Sequence, residues 1–254
     1  TIDQVTAVSA ADRSFTLAQG GRRTDFNYLV LALGAHKMGH KGKEHVLSIC
    51  GAPQESVAVK ERLDALIARG SGTIAVGFGG NPKDTSGVRG GPAFEFLLNV
   101  HHRLKKAGLR DRFEIVFFAP MPQPGIRMGE KAVKAMDRMF DSLGIRSYTG
   151  KKISEFSDGA ITLEDGTSIE ADLVMFIAAG DGHSVMRESD LPQNEAGFVA
   201  ITPTCEVKGH PWLYAVGDVA ALEGPDWKAK QGHIAEIMAR TAADDIARKV
   251  TGRG

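Results

Sequence analysis

Residues 73–119, TIAVGFGGNPKDTSGVRGGPAFEFLLNVHHRLKKAGLRDRFEIVFFA, constrain the fold more than any other stretch. An apolar run from Thr73 to Val76 reaches Gly77, Gly79 and Gly80; Pro92 then opens a pattern with Phe94, Leu97, Leu98 and Leu104 on one side, as a helix requires. Gly108 stops that pattern, and a second apolar run occupies 114–119. Strand, helix and strand in this order form a crossover unit, whose right-handed connection makes the two strands parallel. The chain is therefore expected to be α/β.

The same alternation continues on both sides. Short strands are expected at 5–8, 15–17 and 26–33, the last ending in the Gly34-Ala35 turn. A helix is expected over 53–69, with Pro53 in its first turn, Val59, Leu63, Leu66 and Ile67 on one face, and Gly70 as its stop. Another carries Val133, Met136, Phe140 and Leu143, followed by short strands through Phe176 with a turn at Glu164-Asp165-Gly166. A strand at 213–216 runs into Gly217-Asp218, and a last helix spans 231–250.

Composition sets the outer limits. With 254 residues, 43% apolar and 24% charged, the chain can bury one large core or two small ones. Its 31 basic and 31 acidic residues cancel, so no net field draws it to nucleic acid or an anionic membrane. No apolar run approaches the roughly 20 residues that cross a bilayer, and a cytoplasmic location is expected. Two cysteines, Cys50 and Cys205, are too few for a disulfide scaffold. His183, His210 and His233 lack metal-like spacing, and no metal site is expected.

The glycines at 77–80 raise the question of phosphate binding. For a nicotinamide dinucleotide, the turn must bring a helix amino terminus to the pyrophosphate within about six residues, and an acid ending the next strand must hold the ribose. Gly77 and Gly79 satisfy the beginning, but position 82 of that spacing is Pro82, and polar residues 81–88 intervene before the helix. The second strand ends in Ala119 and Pro120, which offer neither a carboxylate nor an arginine. The unit has the fold of a dinucleotide domain without its binding chemistry, so its glycines read as residues that let strand and helix pack closely.

FNYLVLALGA (26–35), LSICGAPQE (47–55), GGPAFEFLLNVHHRLKKAGLRDRFEIVFFAP (90–120), LYAVGDVAAL (213–222) and AKQGHIAEIMA (229–239) together resemble sulfide:quinone oxidoreductases. These belong to the FAD-dependent pyridine nucleotide-disulfide oxidoreductase superfamily. The resemblance implies a two-dinucleotide-domain flavoprotein fold of the glutathione reductase type, here partial, with a parallel sheet, βαβ units and short antiparallel strands. It divides the chain into a remnant of an FAD-binding domain (1–34), a degenerate NAD-binding-like domain (35–178) and the carboxy-terminal part of the FAD-binding domain (179–254). The family's amino-terminal FAD unit would precede Thr1 and its carboxy-terminal segment would follow Gly254, so the chain reads as an internal fragment. The resemblance further implies FAD as cofactor, with electrons arriving from a sulfur donor and leaving to a quinone. Peripheral membrane contact through the further segments follows from this, with a homo-oligomer left open. Two other readings remain: an NAD(P)H-dependent dehydrogenase of the type-two NADH dehydrogenase kind, and a flavoprotein-derived binding module without catalysis.

By this resemblance Cys50 is the catalytic residue, the cysteine that takes up sulfide sulfur beside the flavin. A thiol just before the helix at 53–69 would feel unpaired N–H groups that favour thiolate, although a free cysteine is equally a small apolar packing residue. The family's second redox cysteine has no counterpart in Gly217-Asp218-Val219-Ala220, and Cys205 reads as structural. Gly34, Gly217, Asp218, Lys230, Gln231 and Gly232 are the cofactor-binding residues that the resemblance implies. A glycine allows close approach and an aspartate at a strand end can accept a ribityl hydroxyl, or can simply cap a turn. Residues 230–232 precede the last helix, whose amino terminus would face the isoalloxazine; alternatively Lys230 is a solvated charge. Glu95 would lie near the flavin or face solvent. ALGA at 32–35 departs slightly from the family's alanine-threonine-glycine.

Overall fold

A computed structural model of the protein describes residues 2–224 and 228–252, so the expectations attached to Thr1 and Gly254 as chain ends lie outside the described residues. The chain divides into two compact units, one of Thr1–Lys37, Asn81–Gly87 and Gly180–Gly254, the other of Met38–Gly80 and Val88–Ala179.

The first unit opens with an antiparallel meander of β1 (Val5–Ser9), β2 (Ser14–Leu17) and β3 (Gly21–Arg23). β4 (Leu29–Leu31) is shorter than the expected strand at 26–33, since its pairing with the later strand at 210–215 covers only Leu29 to Leu31, while the Asn27 carbonyl accepts from the Arg13 guanidinium (2.7 Å). β5 (His36–Lys37) follows.

In the second unit α1 (Pro53–Arg69) has Pro53 in its first turn, and Gly70 closes it in the left-handed conformation (φ 86°). β6 (Gly72–Phe78), α2 (Gly91–Lys106), β7 (Phe113–Ala119), α3 (Glu130–Leu143) and β8 (Ile145–Thr149) come next. A meander of β9 (Ile153–Ser157), β10 (Ala160–Leu163) and β11 (Ser168–Glu170) leads to β12 (Leu173–Ile177). The sheet order is β12-β6-β7-β8, all pairs parallel. Both faces are covered, which is why these strands are continuously apolar. One face puts Ile74, Val76, Phe78 and Phe117 against Val59, Leu63 and Leu97; the other puts Ala75, Phe118 and Phe176 against Phe156, Ile161 and Leu163.

The chain then returns to the first unit with β13 (Gly180–Asp181), α4 (Ser184–Arg187), β14 (Val199–Ala200), β15 (Glu206–Val207), β16 (His210–Ala215), β17 (Ala220–Ala221) and α5 (Gly232–Thr251). β16 pairs in parallel with β4, Leu213 opposite Leu29 and Ala215 opposite Leu31. A polar clamp holds α5 to it. The buried Tyr214 hydroxyl donates to Asp245 (2.7 Å), and the Lys249 ammonium reaches the Tyr214 oxygen (2.9 Å), the Pro211 carbonyl (2.9 Å) and Glu206. The hydrogen bond from Tyr214, helped by Lys249 and Arg248 against the opposing effect of burial, holds the Asp245 carboxyl below its ordinary 3.8.

Candidate cofactor-binding site

In the first unit, Gly34 and Gly217 follow the carboxyl ends of neighbouring parallel strands, three residues after Leu31 and two after Ala215. The crevice at such strand ends is the usual ligand position in α/β sheets. Gly34 has φ 73° and Gly217 φ 72°, conformations that a glycine adopts without strain. A β-carbon at Gly217 would stand 3.3 Å from the Ala235 methyl, so the short turn Gly217–Val219 rests against the first turns of α5. Asp218 is half-buried in that turn.

The start of α5 is open. Gln231 flanks it without a side-chain cap, its carbonyl accepting the Ala235 N–H (3.0 Å), and both Gln231 and Gly232 are exposed. Open space adjoins Gly34 and Gly232 where a β-carbon would point. Two glycine turns beside a helix amino terminus with no side-chain cap suit an anionic, flat-ringed dinucleotide cofactor such as FAD. The structure thus brings Gly217 and Asp218 against the first turns of α5, which follow Gln231 and Gly232, and puts Gly34 after the strand that pairs with β16.

Lys230 precedes the same helix but is no solvated charge. It is 4% exposed, its ammonium donates to the Ala220 carbonyl, and it lies 3.8 Å from the Phe198 ring centroid. Cys205 is buried, in the left-handed conformation (φ 66°), and burial pushes its thiol pKa up, which suits a packed side chain. His183 caps α4 by accepting the Val185 N–H at Nδ1 (3.3 Å).

Cys50 lies in the second unit, half-buried and unbridged, two residues before the Ala52 cap of α1 and against that unit's core. Its own N–H donates to the Ser48 hydroxyl (3.2 Å), and the Ala52 N–H is taken by the Glu55 carboxylate (3.0 Å). Part of the helix-terminal donor set that would favour a thiolate is therefore already paired. Glu95 is exposed on α2.

The glycine turn after β6 is filled by protein. A β-carbon at Gly77 would stand 2.4 Å from the Phe118 carbonyl oxygen, one at Gly79 3.1 Å from Phe176 and 3.2 Å from His40 Nε2, and one at Gly80 3.3 Å from Pro120. These glycines serve close packing, as their sequence context suggests.

A match to the pyridine nucleotide-disulphide oxidoreductase family extends over residues 1–243. The chain belongs to this family. Among its relatives, the sulfide-quinone reductase of Aquifex aeolicus is 26% identical over 94% of this chain and 58% of its own length. A type II NADH:quinone oxidoreductase of Mycobacterium tuberculosis is 27% identical over 51% of this chain and 29% of its own. The crystal structure of the Aquifex aeolicus sulfide:quinone oxidoreductase superposes with a TM-score of 0.84 at 20% identity, covering 98% of this chain and 60% of that one. A ferredoxin reductase of Rhodopseudomonas palustris gives 0.70 at 18% identity, over 96% and 58%. The chain thus spans somewhat over half of the sulfide-quinone reductase it matches. Among the described residues, no helix is long and apolar enough to cross a membrane.

Proposed function

We propose that this chain is part of an FAD-dependent oxidoreductase that takes electrons from sulfide, or a related sulfur donor, and delivers them to a quinone. The observation that carries this reading is the filled glycine turn. Gly77 and Gly79 pack against Phe118, Phe176 and His40, and Asn81–Gly87 separates the turn from α2, so the turn does not lead straight into a helix amino terminus as a nicotinamide pyrophosphate seat does. The likeness over nearly the whole chain to a sulfide-quinone reductase supports the sulfur donor, and the names of both relatives cited above support the quinone.

FAD, when bound, supplies two-electron exchange between the sulfur donor and the quinone. Gly34 and Gly217 would allow close backbone approach to FAD, and Asp218 would accept a ribityl hydroxyl. The amino terminus of α5 would favour negative charge on the bound group. Cys50 would hold sulfide sulfur as a persulfide, its S–S bond forming as two electrons leave thiolate and hydrosulfide for FAD, the oxidant.

Anaerobic stopped-flow mixing of the full-length flavoprotein with sulfide tests the assignment. Cys50→Ser is expected to abolish sulfide-driven flavin bleaching while flavin stays bound, because a neutral hydroxyl does not replace a thiolate, and Cys205→Ser is expected to retain it. Wild-type bleaching rates in Cys50→Ser would remove Cys50 from the chemistry. Calorimetric saturation by micromolar NADH would instead favour an NADH dehydrogenase.

A further inference from the structure

Asn81–Gly87 carries most of the polar character that interrupts the glycine turn, yet Asn81, Asp84 and Ser86 are only 2%, 9% and 0% exposed. Buried polar groups demand partners, and this segment finds them within the first unit. The Asn81 amide donates to the Gly180 carbonyl (3.0 Å), and its oxygen accepts the Lys83 N–H (3.0 Å). Asp84 accepts the Ser86 N–H on one carboxylate oxygen (2.8 Å) and the Asn194 amide on the other (2.8 Å). Gly87 runs so close to Gly180 that a β-carbon on Gly87 would stand 2.6 Å from the Gly180 carbonyl oxygen.

The segment also meets the residue that precedes α5 by two positions. The Ser86 carbonyl accepts the Lys230 N–H (3.0 Å). Asn194, whose amide holds Asp84, accepts the Phe198 N–H with its oxygen (3.0 Å), and Phe198 supplies the ring beneath the Lys230 ammonium. A closed loop of contacts therefore runs from Asp84 through Asn194 and Phe198 to Lys230, and back through Ser86. Burial pushes the Asp84 carboxyl up, but the hydrogen bonds from Ser86 and Asn194 and the nearby Lys230 charge outweigh it and keep the carboxyl below its ordinary range. Asp84 and Lys230 share this network, and the Lys230 charge helps hold the Asp84 carboxylate.

We propose that Asn81–Gly87 is a strap in which Asp84 acts as a positioning residue, fixing Lys230 and hence the place where α5 begins. The segment that follows the glycine turn thus has a structural task within the first unit, at the start of α5. The strap stands on its own hydrogen bonds, whereas its service to a flavin rests on the function proposed above.

The test is a double-mutant cycle of Asp84→Asn and Lys230→Met in this chain without FAD, read by urea midpoints and by amide hydrogen exchange. Asp84→Asn is expected to speed exchange at Ala235 and Met238 in α5 by about tenfold or more while leaving Ala7 and Val8 in β1 unchanged, as local opening predicts. The double variant is expected to lose less stability than the two single losses summed, a coupling worth about tenfold in the folding equilibrium. Should Asp84→Asn alone not fold, recovery of folding in the double variant reports the same coupling. Strictly additive losses, or equal acceleration at Ala7 and Ala235, overturn the strap. FAD titration of the full-length protein separates the two ideas: a non-additive cycle together with a full-length protein that never binds flavin keeps the strap and removes the flavin reading, and additivity with tight flavin binding does the reverse.

Discussion

Two parallel strands of this molecule run into glycine turns, β6 at Gly77–Gly80 and β16 at Gly217, and the two turns face opposite surroundings. Around the first, backbone and aromatic rings crowd every glycine: Phe118 at Gly77, Phe176 and His40 at Gly79, Pro120 at Gly80. Around the second, the close neighbour among the described residues is the Ala235 methyl, and none of them stands within 4 Å of where a β-carbon at Gly34 or Gly232 would point. A glycine records only that a side chain was unwelcome. In β6 the space is needed by the protein itself.

The largest expected effect is at the crowded turn. Gly77→Ala forces a β-carbon against the Phe118 carbonyl and ring, neither of which can move without breaking the β6-β7 pairing, so a loss of about 3 kcal/mol is expected in urea denaturation. Wild-type stability in that variant would erase the contrast between the turns.

A middle-sized effect concerns the frame of the open turn, which depends on the clamp under α5. Removing the Tyr214 hydroxyl with Tyr214→Phe should cost about 1–2 kcal/mol at neutral pH. Because the folded Asp245 carboxyl titrates below its ordinary 3.8, its contribution is complete above about pH 4 and disappears as pH falls through the lowered value. Asp245→Asn should therefore lower stability at neutral pH and flatten the acid side of the stability curve. An unchanged acid side, measured by urea midpoints from neutral pH downward, would show that Asp245 gains nothing from its partners.

The smallest effect belongs to Gly232→Ala, which places a methyl in open space at the first helical position. It should shift stability by no more than about 0.5 kcal/mol. If flavin affinity falls sharply in the same variant while stability holds, the open space is a binding surface.

Much of the frame was legible in the sequence because its signals are local. α1 announces itself through Pro53 at its start, Val59, Leu63 and Leu66 at helical spacing, and Gly70 at its end, and the structure begins and ends it at Pro53 and Arg69. The β6-α2-β7 unit shows through apolar runs whose length and position match strands buried on both faces. What escaped were contacts between residues far apart in sequence. Nothing near Lys230 marks Asp84, Asn194 or Phe198 as neighbours; Asp84 and Asn194 are 110 positions apart. Similarly, a lysine before a helix reads as solvated, and only the fold reveals its ammonium beneath a phenyl ring. The clamp of Tyr214, Asp245 and Lys249 was hidden for another reason, since aspartate and lysine near the end of a helix normally mark its wet face.

The assembly of the first unit from three separate stretches bears on how the protein is made. All of the second unit lies between residues 38 and 179, so a ribosome delivers it whole before any of Gly180–Gly254 exists. β4, by contrast, waits for its parallel partner β16, some 180 residues downstream, and the strap segment waits 110 residues for Asn194 and longer for Lys230. Through that interval the early strands present an unpaired edge and an incomplete core, the condition that favours misassembly or chaperone capture. Synthesis should thus yield one finished unit and one pending unit, and the cell must protect the pending one until α5 emerges.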